Sequence, residues 1–167
     1  MLNLMTKLRA ARCAFPLVAA AMIVHVALAD QQPPGKDQLQ GKWTVIGGEE
    51  GGTAMSAEVA KDEDLAFAFK DESLVITRSG RVIQEFSVVV RPGKDKGEID
   101  LKHKGGDRDG KMCHGIYALE GDILKICTAS KLREDMAADR PNIFSTKESD
   151  KAGEKRGKLM FVLKREK

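Results

Sequence analysis

The side chains best suited to chemistry in this chain are two cysteines and two histidines in its second half. Cys113 and Cys127 lie in the two apolar runs that flank a turn at Gly121. His103 and His114 lie before and after a Gly-rich turn, and no other histidine follows residue 29. Thiolate and imidazole groups serve proteins as nucleophiles, bases and soft-metal ligands. These four side chains are therefore the first candidates for covalent or metal chemistry.

The pairing of the two cysteines depends on the register of the hairpin that turns at Gly121. A two-residue turn there places Tyr117 opposite Leu124, so that Cys113 and Cys127 point to opposite faces of the sheet and cannot bond. A three-residue loop places the two cysteines directly across from each other. The first register is favoured because it keeps the apolar residues of both strands on one face. A disulfide between Cys113 and Cys127, which export would favour, stays open.

The two histidines are expected to face solvent on their strands. His103 and His114 could approach each other across their turn, but Cys113 faces away from His114, because neighbouring strand residues point to opposite faces. The chain has no Cys-x-x-Cys or His-x-x-x-His spacing of the kind found in zinc sites. The turn Asp107-Arg108-Asp109-Gly110 lacks the further oxygen ligands of a calcium loop. The sequence therefore predicts no metal site and no cofactor.

Catalysis finds no support in the sequence. No Gly-x-Ser-x-Gly elbow is present, and no general base is identifiable near Cys113. The chain has 25 acidic residues, so two carboxylates that lie near each other are not informative without geometry. The sequence favours a protein that is not an enzyme.

Apolar and polar residues alternate from Leu39 onward, which is typical of antiparallel strands with one buried face. Short turns separate the runs, and the only helical candidates are Ser56 to Asp62 and Lys131 to Ala138. Closing such a sheet on itself removes its exposed edges. We therefore expect an all-β fold, a small antiparallel up-and-down barrel of about eight strands with one or two short helices. The expected inward residues include Val45, Leu65, Leu74, Ile76, Val82, Val88, Val90, Ile99, Leu101, Leu119, Leu124, Ile126 and Leu163, with Gln84 as the polar member.

The N-terminal region predicts export. Three basic residues and no acidic one precede an apolar stretch at residues 14–26, and Ala27-Leu28-Ala29 supplies the small residues of a cleavage site. The prediction is a signal peptide at 1–29 cleaved near Ala29, with an uncleaved anchor as the alternative, and a periplasmic or extracellular mature protein. Residues 30–38 are expected to form a flexible lead-in, and residues 39–167 a single domain.

The charge of the chain belongs to this leader. The chain has 28 Lys and Arg residues against 25 Asp and Glu residues, and Lys7, Arg9 and Arg12 account for the excess. A mature domain of zero formal charge has no general attraction to phosphate backbones or anionic lipid. We therefore expect no nucleic-acid partner and no stable membrane insertion of the mature chain.

Several stretches together resemble known sequences. Gly41-Lys42-Trp43 at the start of the first strand resembles the Gly-x-Trp motif of lipocalins. With residues 115–127, Arg140-Pro141-x-x-Phe144 and the closing Val162–Arg165, the chain resembles an uncharacterised family of small exported domains abundant in planctomycete bacteria. That family has no assigned activity. The lipocalin likeness implies that Trp43 plugs one end of the barrel, with Arg165 or Arg140 over its ring as a cation–π partner.

Two functions follow as expectations. The first is a non-catalytic lipocalin-like domain that binds a small apolar ligand. The second is a periplasmic or cell-envelope interaction or structural domain with a solid core, because bulky side chains alone can fill an eight-stranded barrel. The aromatic residues are candidates for the lining of a pocket or for the core: Trp43, Phe67, Phe69, Phe86, Tyr117 and Phe161. An enzyme would need two ionisable groups turned inward. The sequence identifies no protein partner.

Overall fold

The computed structural model describes residues 35–130, 140–146 and 158–167. The predicted signal peptide and the helix candidate Lys131 to Ala138 lie outside the described residues. The elements in chain order are α1 (Lys36–Leu39), β1 (Gly41–Glu50), β2 (Thr53–Met55), α2 (Ala57–Glu63), β3 (Leu65–Lys70), β4 (Ser73–Arg78), β5 (Arg81–Arg91), β6 (Gly97–Lys104), a 3-10 turn (Gly106–Arg108), β7 (Met112–Glu120), β8 (Ile123–Ser130) and β9 (Lys158–Arg165).

The strands close into an antiparallel barrel. From β3 to β9 each strand pairs with the next one along the chain, and β1 closes the sheet by pairing with both β3 and β9. The short β2 pairs only with the C-terminal end of β1. The predicted all-β, up-and-down barrel of eight strands is confirmed, as is the helix after Ser56, whose hydroxyl accepts a hydrogen bond from the amide of Val59.

One end of the barrel, here called the closed end, is built around Trp43. Its buried indole donates from Nε1 to the carbonyl of Leu39 at 2.8 Å. The guanidinium carbon of Arg165 lies 4.1 Å from the ring centre, and Arg165 also donates to the carbonyls of Gln38 and Gln40. Residues 36–38, predicted as flexible lead-in, instead form α1 against this end. Of the two arginines considered for Trp43, Arg165 is the one that lies over it.

The interior of the barrel is filled by side chains. Phe67, Phe69, Phe86 and Tyr117 are buried in one core cluster with Trp43, while the partly buried Phe161 packs against it. The rings of Phe67 and Phe161 have their centres 5.1 Å apart. These aromatic residues pack against one another and against the aliphatic core, as the side chains of small barrels do.

Tyr117 needs a glycine across from it. The ring lies over Gly97, its partner in the β6–β7 pairing, where an added Cβ would come within 2.1 Å of a ring carbon. Burial raises the pKa of Tyr117 to about 12. The phenol is therefore neutral in the folded protein.

A β-bulge changes the facing of β5 near its start. Ile76 pairs with Gln84 but Thr77 pairs with Val82, so Ile83 is the extra residue. The bulge turns Val82 outward, where 56% of it is exposed, while Gln84 keeps the inward facing of Phe86. The prediction that Val82 faces the core was therefore wrong.

Arg140 has a different role from the one expected. It begins a segment, residues 140–146, that crosses the outside of the barrel, and it donates to Asp100 at 2.7 Å and to the carbonyl of Gly115 at 2.6 Å. Asp100 is buried beneath this segment and also binds Arg91 at 2.6 Å and His114 at 2.7 Å. The interpretation of Arg140 as a partner of Trp43 was wrong, because its guanidinium is used to hold this segment against the sheet.

The far end of the same segment is held by Glu49. One carboxylate oxygen of Glu49 accepts from both the amide and the hydroxyl of Thr146 at 2.6 Å. Ser145 and Thr146 lie in irregular backbone. No helix within the described ranges has the length and apolar character needed to cross a membrane.

Candidate functional site

A cleft opens at the end of the barrel opposite Trp43, here called the open end. The pairing between β5 and β6 ends at Glu85 and Lys104, and beyond these residues the two strands are no longer paired. The space between them has a volume of about 460 Å³. It is lined by Val82, Ile83, Gln84, Glu85, Lys104, Gly105, Gly106, Asp107 and Arg108.

The β6–β7 loop that forms one wall of the cleft is held by its own hydrogen bonds. Asp109 accepts from the amide of Gly105 at 2.7 Å, and the amide of Gly110 donates to the carbonyl of His103 at 2.9 Å. Gly105 and Gly106 adopt positive φ values of 75° and 66°, a conformation that glycine tolerates without strain. Asp109 thus stabilises the turn. The described residues contain no group of three or more His, Cys, Asp or Glu side chains arranged to hold a metal ion.

The other wall of the cleft leads to a polar cluster inside the barrel. Gln84 lines the cleft, and its Nε2 lies 2.7 Å from Nδ1 of His103. On the far side of the imidazole, Nε2 of His103 lies 3.3 Å from Sγ of Cys113. The ring of Phe86 packs against the imidazole with a centre-to-centre distance of 4.5 Å. We call Gln84, His103 and Cys113 the inner polar cluster.

His103 is therefore a buried residue, and the expectation that it faces solvent was wrong. It follows Ile99 and Leu101 at intervals of two along β6, so all three point into the barrel. The same spacing was visible in the sequence, and only the polar type of the residue argued against it. Cys113 faces inward by the same rule, since it pairs with Leu101.

The environment of His103 favours the neutral ring. Burial lowers the pKa of His103, and the positive charges of Arg108 and Lys111 lower it further. With the amide nitrogen of Gln84 donating to Nδ1, the proton of the neutral ring is on Nε2. That proton points at Cys113, so the sulfur accepts a hydrogen bond from the imidazole.

The two cysteines lie on opposite faces of the β7–β8 hairpin. Glu120 pairs with Ile123, and in this register Cys113 pairs with Ser130 while Ile116 pairs with Cys127. Neither register considered from the sequence is the observed one, because the two-residue turn is one step further along, at Gly121 and Asp122. The structure has no disulfide between Cys113 and Cys127.

Cys127 lies on the outer face beneath the segment 140–146. Its sulfur is 3.9 Å from the carbonyl of Ser145, and burial raises the pKa of its thiol. Cys127 is completely buried, whereas Cys113 keeps 7% of its surface exposed. Only Cys113 belongs to the candidate site.

The structure separates most of the predicted pocket residues from the cleft. Phe86 contacts the inner polar cluster, whereas Trp43 lies in the closed end and Tyr117 packs over Gly97. Neither the aromatic candidates nor the arginines Arg140 and Arg165 line the cleft. Comparison of the chain with protein-family models, with curated proteins and with solved structures finds no match, so the resemblance to the planctomycete family stays a prediction.

Proposed function

We propose that the protein is an exported, non-catalytic binding module that holds one small amphiphilic molecule in the cleft at its open end. The signal-peptide pattern of residues 1–29 supports export. The observation that carries the proposal is the cleft itself, a shallow groove open to solvent that combines a volume of about 460 Å³ with apolar and polar lining residues.

The cleft offers two kinds of contact to one ligand. Val82 and Ile83 remain 56% and 51% exposed although both are apolar, and they would cover the apolar part of a ligand. Lys104 and Arg108 provide positive charge, with Glu85 providing negative charge on the other wall. A molecule with an apolar body and an ionised group matches this lining better than a purely apolar one does.

The filled interior supports a site at the rim rather than in the middle of the barrel. The side chains of Leu74, Ile99, Leu124, Ile126 and Leu163 are almost completely buried within the core cluster. A deep apolar pocket of the kind expected from the lipocalin likeness would have to displace them, which is costly in a close-packed core.

Titration with 8-anilinonaphthalene-1-sulfonate tests the proposal. This probe has an apolar ring system and one anionic group, and its fluorescence rises on transfer out of water. We expect saturable binding of one probe per chain to the native protein. Ile83→Asp should weaken it by about tenfold or more, because burial of an isoleucine side chain contributes about 1.5–3 kcal/mol.

Val89→Asp is the matched control. Val89 lies on the same strand and is 52% exposed, but it does not line the cleft. Its replacement should leave probe affinity unchanged. Absence of saturable binding, or equal losses in the two variants, would contradict the proposal.

The packed interior also supports a second candidate function, an interaction or structural domain of the periplasm or cell envelope. Such a domain would use its outer surface and would need no ligand. If this second function is the right one, we expect a partner that co-purifies with the chain at fixed stoichiometry. We also expect no binding of 8-anilinonaphthalene-1-sulfonate in the cleft. A chain that stays monomeric and binds the probe in the cleft argues against it.

A further inference from the structure

The inner polar cluster has the arrangement of an activated thiol. A nucleophile, an imidazole within hydrogen-bond distance, and a third group that fixes the orientation of the imidazole recur in enzymes with cysteine nucleophiles. Here Sγ of Cys113 lies 3.3 Å from His103, and Gln84 binds the opposite nitrogen of the ring at 2.7 Å. The sequence did not pair Cys113 with His103, because His103 lies ten residues away and was expected to face solvent.

The hydrogen bond from His103 favours the thiolate form of Cys113 over the thiol. His103 donates to Cys113 from Nε2, and a donor stabilises the thiolate more than the thiol, because the hydrogen bond to a charged acceptor is the stronger one. Gln84 keeps the donating tautomer by occupying Nδ1. His103 and Gln84 thus favour the nucleophilic form of Cys113 without themselves having to carry charge.

We propose that Cys113 captures small disulfides that carry charged groups, forming a mixed disulfide at the open end of the barrel. The inference rests on the proposed function, because Gln84 lines the cleft and also binds His103, so a ligand held in the cleft would have to reach Cys113 past this residue. The charges on the cleft walls, positive at Lys104 and Arg108 and negative at Glu85, suit a ligand with both amino and carboxylate groups.

The reaction is a thiol–disulfide exchange and is stoichiometric. Cys113 gives up its proton to solvent, and the thiolate attacks one sulfur of the ligand. A bond forms between Sγ and that sulfur while the ligand's own S–S bond breaks. The second half of the ligand leaves as a thiolate and takes up a proton from water. No oxidant or reductant other than the ligand is consumed.

The competing chemistries are less well supported by the geometry. A metal site would need further ligands, which the described residues do not provide. The Asp100 cluster on the outer face already has its carboxylate bound by Arg91, His114 and Arg140, so it is satisfied within the protein.

The test measures reaction of the full chain with cystine, followed by mass spectrometry of the peptide that contains Cys113. A background with both Cys13→Ser and Cys127→Ser removes the other two cysteines of the chain. At pH 7 the native protein should form one mixed disulfide at Cys113, at least as fast as the same chain in denaturant. The rate should level off below the pH of about 8.5 at which an ordinary thiol is half ionised.

Substitutions in the cluster separate activation from simple burial. His103→Ala should slow the native reaction at pH 7 about tenfold, the equivalent of one pH unit in the rate profile. Gln84→Leu should move the profile in the same direction with a smaller change. In denaturant all variants should react alike, which is the internal control for intrinsic thiol reactivity.

Two results would overturn the inference. One is a native Cys113 that reacts more slowly than in denaturant at every pH. The other is a folded His103→Ala variant with an unchanged rate profile. If His103→Ala does not fold, the wild-type profile and Gln84→Leu decide the question. Binding of 8-anilinonaphthalene-1-sulfonate to Cys113→Ser tests the cleft separately, so failure of the thiol chemistry and failure of the proposed function can be told apart.

Discussion

His103 Nε2 lies 3.3 Å from Cys113 Sγ inside the barrel. Gln84, the third member of the inner polar cluster, contacts the other ring nitrogen of His103. Two neighbouring strands, β6 and β7, bring these side chains together across a turn that also forms one wall of the cleft. Gln84 faces inward by period two with Phe86 on β5 and so lies beside them. Gln84 and His103 therefore connect the cleft at the open end with the thiol of Cys113.

His103 should make stability depend on pH in a defined direction. Burial and the charges of Arg108 and Lys111 lower its pKa below the ordinary histidine value of 6.5, so below that pH the unfolded chain binds a proton more readily than the folded one. The free energy of unfolding should therefore fall as the pH drops below about 6.5. His103→Gln should lose this dependence, as measured by urea unfolding between pH 5 and 8. If the free energy of unfolding depends on pH in the same way in the wild type and in His103→Gln, then His103 is not buried in its neutral form.

Asp100 should control stability at lower pH. Burial acts to raise its pKa, but hydrogen bonds from His114, Arg91 and Arg140 outweigh burial and lower the pKa to about 2. The folded pKa is below the unfolded value of 3.8, so the stabilisation is present above pH 4 and is lost as the pH falls towards 2. It amounts to at most about 2 kcal/mol.

Asp100→Asn is the variant that tests this assignment. It should lower the free energy of unfolding at pH 7 and flatten its dependence on pH between 4 and 2. Glu98→Gln is the control, because the side chain of Glu98 is largely exposed beside the same arginines. An Asp100→Asn protein with the acid sensitivity of the wild type would refute the role of the cluster.

Trp43 and Arg165 should act together at the closed end. Trp43→Ala should cost about 3–5 kcal/mol, because the ring is fully buried. Arg165→Met should cost less, about 1–2 kcal/mol for the contact with the ring, together with the lost hydrogen bonds to Gln38 and Gln40. Denaturant unfolding of the two variants and of the double variant measures their coupling. An unchanged midpoint for Trp43→Ala would be inconsistent with the closed end described above.

Gly97 should not tolerate a side chain. An added methyl group would lie within 2.1 Å of the ring of Tyr117, so Gly97→Ala should lower the free energy of unfolding by about 1–3 kcal/mol. Gly35→Ala is the matched control, since nothing lies within 4 Å of the added group there. Thermal unfolding of both variants makes the comparison. Equal melting temperatures would mean that the ring moves aside without cost.

The alternation of apolar residues was sufficient to predict the barrel. Phe67, Phe86, Leu101 and Leu163 all point inward as period two requires, because a closed sheet buries one face of every strand. The Ser N-cap likewise located α2 to within a residue, since a hydroxyl that accepts from a helix amide is a local feature.

The candidate site depended on features that a period-two pattern does not contain. The bulge at Ile83 reverses the facing of Val82, and bulges have no reliable signal in one sequence. The turn at Gly121 and Asp122 shifted the register by one step on each strand, which hid the true partners of Cys113 and Cys127. His103 was predictable from parity with Leu101, and only its polar type favoured an exposed position.

The location of bound probe is the most direct test of the proposed function. Amide shifts of ¹⁵N-labelled protein should be followed during titration with 8-anilinonaphthalene-1-sulfonate. We predict that the saturating shifts concentrate in residues 82–85 and 104–108, while the amides of Val89 and Leu163 stay in place. Shifts that centre on the core residues or the closed end, with the cleft residues unmoved, would contradict the account.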